Sequence, residues 1–173
     1  PLPGLCGFSW TESTHYTPAT FSAIFATNAD KAFSAQWWDA RDTGMTIDLW
    51  VGVELPGAAL VWTQIGTGAV DTHSFSAAMT RVEAQGRDLA ALMIDQRTSE
   101  TFQNRSASEI VAEIAGRHAL TGDVTPTIMP VGRYWGDHTC QTRAQDSSET
   151  TEWDLLVRIA EMEGFDLYMQ GRT

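Results

Sequence analysis

From Met45 to Leu55 the odd positions are all apolar, namely Met45, Ile47, Leu49, Val51, Val53 and Leu55. The even positions are Thr46, Asp48, Trp50, Gly52 and Glu54. Alternation with period 2 predicts a strand with one buried face, and its length points to a barrel or a strongly coiled sheet. Phe21, Ala23 and Phe25 alternate with Ser22 and Ala26 in a second strand, where Ile24 is an apolar exception on the outer side. Phe8, Trp10 and Glu12 suggest another. Leu60 to Ile65 and Ala69 to His73 bracket Gly66 and Gly68, which predicts one long strand with a bulge or sharp bend. Thr80 to Gln85 forms a shorter strand before Gly86.

Helical spacing is sparser. Phe33 and Trp37 lie at i, i+4 within Asn28 to Asp42 and predict a short helix that also carries Asp30. Asp88 to Ile94 reads as a helical turn with Leu89, Leu92 and Met93 on one side. The pattern then changes. Ser106-Ala107-Ser108-Glu109 is a capping box, followed by the face Ile110, Val111, Ile114, Ala115, with Gly122 beyond the end. Residues 121–137 read as loop, or short irregular strand, from Gly122, Pro126, Pro130, Gly132 and Gly136. Thr151-Glu152-Trp153-Asp154 opens a last helix with the face Trp153, Leu156, Val157, Ala160. Gly164 is placed to end it in a left-handed conformation. Phe165, Leu167 and Met169 then alternate, predicting a helix–Gly–strand unit whose structural core is Trp153, Leu156, Gly164 and Phe165. The boundary between the two textures falls near Arg97 to Arg105, with no flexible linker.

Composition narrows the function classes. The 173 residues contain 43% hydrophobic and 19% charged positions, which reads as a folded chain. Eleven basic against 22 acidic residues give a net charge of −11. A surface that grips nucleic acid needs a basic face, so DNA or RNA binding is disfavoured. No stretch approaches the ~18 apolar residues of a membrane span, and no secretory signal pattern is present. The chain opens at Pro1 without a Met, which implies either a removed Met or a fragment. Cys6 and Cys140 are expected to be reduced, buried and inert.

Candidate chemistry is thin. Asp137 beside His138 is the most enzyme-like local pair, and reads as a solvated loop pair. His138-Thr139-Cys140 lacks the further ligands of a zinc site. Gly66-Thr67-Gly68 lacks the third glycine and the following helix of a dinucleotide site. Glu161 and Glu163, flanking Met162, read as a solvent-facing stripe. No catalytic, cofactor-binding or metal-binding residue is expected, and the chain is not expected to be an enzyme. Trp37-Trp38 leaves one alternative open, a carbohydrate- or host-surface-binding module that stacks indoles on sugar rings; one of the pair is expected in the core and the other at an interface.

Several motifs occur in the order of a known family. Gly86-Arg87-Asp88-Leu89 with Ile94-Asp95-Gln96-Arg97-Thr98 resembles the GRDLxxLLID segment of phage late control gene D proteins. Glu100-Thr101-Phe102, Ser108-Glu109-Ile110-Val111 and His118-Ala119-Leu120-Thr121 are similar to that family's helix after its first barrel. Thr151-Glu152-Trp153-Asp154-Leu155-Leu156 through Glu163-Gly164-Phe165-Asp166 resembles its EWDLLxxLAxxEGF signature, of which type VI secretion spike proteins carry a looser version. Val131-Gly132-Arg133-Tyr134 also fits. The likeness covers residues 80–173; residues 1–79 match only in strand order and texture.

The resemblance implies a tail baseplate hub. The expected fold is α+β, mainly β: a tail-tube-like antiparallel β-barrel over residues 1–97, then a small α/β hub domain over 98–173. The family's second barrel does not follow Thr173, which implies a hub fragment or a hub divided over several chains. The implied assembly is a homotrimeric ring that joins the tail tube protein to the spike or tip protein. DNA would pass through it without specific binding. No cofactor and no membrane insertion are implied, and the expected location is the virion tail, assembled in the host cytoplasm. Asp48, Glu54 and Glu83, on the strand face opposite the apolar one, are the candidate lumen-facing acids.

Overall fold

The computed structural model describes residues 4–12, 16–28, 33–41, 44–54, 56–57, 59–100, 102, 104–128, 130–131 and 150–173. They form two units, Pro1–Ser13 with Thr17–Leu89 and Thr14–Tyr16 with Ala90–Thr173. Residues 90–97, placed with the barrel by the sequence reading, belong to the second unit.

The first unit is one antiparallel sheet. Its strands are β1 (Leu5–Thr11), β2 (Thr20–Ala26), β3 (Thr46–Val53), β4 (Val61–Phe75) and β5 (Arg81–Asp88), with helix α1 (Ala35–Asp39) between β2 and β3. The spatial order is β1-β2-β5-β4-β3, so β1 and β3 are the edges of a curled half-barrel. The alternation is visible in the burial. Phe21, Ala23 and Phe25 on β2, Ile47 and Leu49 on β3, and Val82 and Ala84 on β5 are buried together. Trp38 of α1 is 2% exposed among them, with its ring 5.2 Å from Phe25. Burying a side chain of that size contributes roughly 2–3 kcal/mol.

Three glycines are required by close approach. A Cβ at Gly66 would stand within 3 Å of the Trp10 indole, and one at Gly68 or Gly86 would collide with the Phe21 ring. Trp10 and Phe21 stack with centroids 6.1 Å apart. Two rings from β1 and β2 thus lie against bare backbone of β4 and β5. The Gly66-Thr67-Gly68 pair is a seat for aromatic rings inside a continuous strand. Asp88 closes the β2–β5 end: its carboxylate accepts the Ala19 N–H at 2.7 Å and its own N–H donates to the Ala19 carbonyl at 2.9 Å.

The second unit contains α2 (Ala90–Ile94), β6 (Arg97–Thr98), α3 (Ala107–Arg117), β7 (Thr150–Thr151) and α4 (Glu152–Glu163). β6 and β7 pair as a two-stranded ribbon. The capping box is present: Glu109 N–H donates to Ser106 Oγ while the Glu109 carboxylate accepts the Ser106 N–H. Thr151 Oγ1 caps α4 at the Asp154 N–H. Ile110 and Ile114 of α3, and Leu155, Leu156 and Ile159 of α4, are almost fully buried. Trp153 is 4% exposed, and its Nε1–H donates to the Tyr16 carbonyl at 2.8 Å.

Two expectations for this unit are corrected. Gly164 does turn left-handed (φ 74°), with its N–H bonded to the Glu161 carbonyl and the Phe165 N–H to that of Ala160. That closes the helix as a Schellman motif. The chain emerging from it, residues 165–170, is assigned no strand and pairs with no strand among the described residues, against the expectation. Phe165 is 40% exposed and is not core. Its backbone is the anchored part, since its carbonyl accepts the Tyr16 hydroxyl at 2.9 Å.

Candidate functional site

Facing residues on paired strands share a face of the sheet. On the side opposite the core, Ser9, Ser22, Gln85 and Thr72 make one rung, and Ile24, Glu83 and Ser74 the next. Asp48 faces Thr67 on the same side. Two of the three expected acids, Asp48 and Glu83, therefore lie on this polar face. Glu54 is exposed just past the last residue of β3, off the rungs.

Each acid on the face accepts hydrogen bonds from neutral donors. Glu83 Oε1 accepts from Gln85 Nε2 and from Ser22 Oγ, both at 2.8 Å. These bonds, the Gln85 one first, hold its carboxyl below the usual carboxylate range. Asp48 Oδ1 accepts from Thr67 Oγ1 at 2.8 Å. The guanidinium of Arg87 is engaged in both prongs by Asp71, at 2.7 and 2.8 Å. Around this pair Ser9, Thr11, Thr20, Ser22, Thr72 and Gln85 line an open groove of about 380 Å³. The face offers hydroxyls, amides and acids; of its two arginines among the described residues, Arg87 is matched to the Asp71 carboxylate, and Arg81 stands exposed opposite Ala26 at the start of β5. That chemistry holds water and disfavours a firm grip on phosphate.

Beyond the core, β3 and the first part of β4 continue as a ribbon. Trp50, Val53, Leu60, Val61 and Trp62 are 48–62% exposed. By register Trp50 and Trp62 lie on the polar side, and Val53 and Val61 on the core side. The ribbon is apolar on both faces. Tryptophan at an even position of the strongest alternation was the available signal, and the sequence reading spent it on Trp37-Trp38 instead. Trp38 is core, as expected of one of the pair. Trp37 is half-buried, edge-on to Phe33 at 4.9 Å and capped by the Arg41 guanidinium 4.0 Å above its ring. Neither indole forms an open platform for a sugar.

Cys6 is exposed on β1, against the expectation of burial, because it is the extra residue of a bulge between Leu5 and Gly7. Cys140, Asp137 and His138 lie outside the described residues. Among the described residues no three His, Cys, Asp or Glu side chains gather as a metal site. No helix among them is long and apolar enough to cross a membrane. The densest charge group lies in the second unit, where Arg117 contacts Glu100 at 2.6 Å, Glu113 at 2.8 Å and Glu152 at 3.4 Å. Its guanidinium is held above the ordinary arginine value by Glu100 first, then by Glu113.

No family model matches the sequence, and no curated protein matches it significantly. Among solved structures, the fold is similar to the crystal structure of the tail protein from Neisseria meningitidis MC58. The TM-score is 0.59 at 12% identity, over 95% of this chain and 43% of that one. The chain thus spans less than half the length of that protein. At this identity the likeness is one of fold.

Proposed function

We propose that this chain is a non-enzymatic structural subunit of a phage-type tail, and that it acts as the hub between tail tube and tip or spike. The observation that carries the reading is the fold it shares with a tail protein over 95% of its length. In this reading three copies form a ring, each contributing its half-barrel to a tail-tube-like wall, and the subunit resides in the virion tail. The polar face lines the passage. Its hydroxyls hold water, its acids repel phosphate, and Asp71 neutralises Arg87, one of the two arginines on the face, so DNA, which carries one charge per ~1.7 Å of axis, meets more acids than free bases there. The order of late-control-type motifs from Gly86 to Asp166 supports the hub over other tail positions.

The deciding experiment locates the chain in particles. Antibody labelling and image reconstruction of purified tails should place it at the junction of tube and tip. Its absence from intact tails would sink the reading. Replacing Asp48, Glu54 and Glu83 by Lys in assembled particles should slow genome ejection at low salt, with recovery as salt is added.

A further inference from the structure

In the second unit the chain leaves α3 and α4 along two runs, residues 120–128 and 165–170, that make no helix, strand, turn or bend. Burial nevertheless alternates in both. Gly122 and Val124 are half-buried between exposed Thr121, Asp123 and Thr125, and Leu167 and Met169 are half-buried between exposed Asp166, Tyr168 and Gln170. That is the period of a strand. The runs are tied where the Thr121 N–H donates to the Arg172 carbonyl at 2.9 Å. Over residues 122–125 and 166–169, however, no backbone N–H or C=O has a partner among the described residues. Main-chain polar groups next to a core are ordinarily paired. The half-buried side chains of both runs line a cavity of about 150 Å³, floored by Met93 of α2, Val111 and Ala115 of α3, and Trp153 of α4. Apolar space of that size takes a benzene-sized body. Asp123 and Asp166 also line it, both exposed, and neither carboxylate has a hydrogen-bond or ion-pair partner among the described residues.

We propose that residues 165–170 are the template for an added strand, an extended peptide of another protein in which apolar and basic side chains alternate. The site lies wholly within the second unit and does not depend on the ring reading. The peptide's main chain bonds to residues 166–169, and one of its apolar side chains enters the cavity. Its basic side chains, on the opposite face, meet Asp123 and Asp166 as cross-strand pairs. The two open carboxylates set the sign of the partner: in a chain of net charge −11 an acidic peptide would be repelled from this rim. The alternation of Leu167 and Met169 is then a strand pattern whose pairing comes from outside.

The test titrates the full chain with the peptide acetyl-Lys-Val-Lys-Phe-Lys-Val-Lys-amide, followed by calorimetry and by amide hydrogen exchange. Saturable binding is expected, with the amides of residues 166–169 protected in the complex. A peptide of the same composition with its lysines gathered at one end carries the charge without the alternation, and should bind about tenfold more weakly or worse. Asp123→Asn with Asp166→Asn, at exposed side chains, should weaken the alternating peptide about tenfold. Val124→Phe, which puts a ring of its own into the cavity, should weaken it at least as much with circular dichroism unchanged. No binding of the alternating peptide, equal binding of the regrouped one, or exchange protection that leaves out residues 166–169 would overturn the proposal. So would undiminished binding by the double aspartate variant.

Discussion

Glu152 Oε2 lies 2.5 Å from His118 Nε2, joining the first residue of α4 to the residue that ends α3. Both groups suit their helix ends, an acid at an N-terminus and a ring nitrogen at a C-terminus. The Glu152 side chain is 5% exposed and also faces Arg117 at 3.4 Å. Removing it leaves His118 without this partner and takes one of three carboxylates from Arg117. Glu152→Ala is expected to lower stability by about 1–3 kcal/mol, below a fully buried pair because Arg117 keeps Glu100 and Glu113. Urea denaturation measures it, and an unchanged midpoint would remove the pair from the account of how α3 and α4 are held.

Glycines of opposite character make a paired test. A Cβ at Gly86 would run into the Ala69 carbonyl, which is backbone and cannot swing aside. Gly86→Ala should destabilise by about 3 kcal/mol or more. Gly116 lies in α3 with nothing within 4 Å of an added Cβ. Gly116→Ala should stabilise by about 0.5–1 kcal/mol. Thermal melts of the two variants should move in opposite directions from wild type.

The end of α4 offers a second pair. Trp153→Ala should cost about 3–5 kcal/mol, combining a cavity with the lost bond to Tyr16. Gly164→Val should cost about 1–2 kcal/mol, since a β-branched residue resists a φ of 74°. Phe165→Ser, at a side chain 40% exposed, should stay within about 0.5 kcal/mol. A Phe165→Ser loss as large as that of Trp153→Ala would restore Phe165 to the core.

Glu83 and Glu109 each contribute to the acid limb. Both carboxyls are held below the usual range, Glu83 by Gln85 and then Ser22, Glu109 by the Ser106 N–H first. A depressed folded value means the stabilisation is full above the ordinary carboxylate range and is lost as pH falls through the depressed value. Glu109→Gln should therefore flatten the fall of stability on acidification, and carboxyl titration by NMR should place Glu109 below an unstructured glutamate. A midpoint at or above the reference would refute the capping account.

What could be read in advance follows from what a pattern encodes. Alternation on β2 and β3 reports which side chains share a face, and Phe21, Ala23, Ile47 and Leu49 are buried as it says. It does not report where the covering layer stops. Val53 continues the phase of Leu49 yet is 53% exposed, because β3 outruns the core. Leu167 and Met169 alternate too, but alternation supplies no partner strand, and among the described residues none pairs with the segment after Gly164. Capping is local, and the Ser106–Glu109 box was fully legible. The His118–Glu152 contact spans 34 residues and has no local signature. The polar-face placement of Asp48 and Glu83 was legible for the same reason as the core; the two-faced ribbon was not.

Ile65 is an extra residue: Leu49 faces Gly66 while Trp50 faces Gln64, so β4 carries one more residue here than β3 does. Such an insertion bends a strand and tightens its twist. It sits where the ribbon leaves the core, with the Ile65 side chain packed against the core itself. It works as an elbow, and the direction in which the ribbon points is set by the count of residues at that joint. Trimming Ile65 would leave every exposed indole and valine of the arm in place and on its own side, and would aim the arm elsewhere. Reach and aim are therefore separable in this molecule, one written in side chains and the other in a single surplus peptide unit.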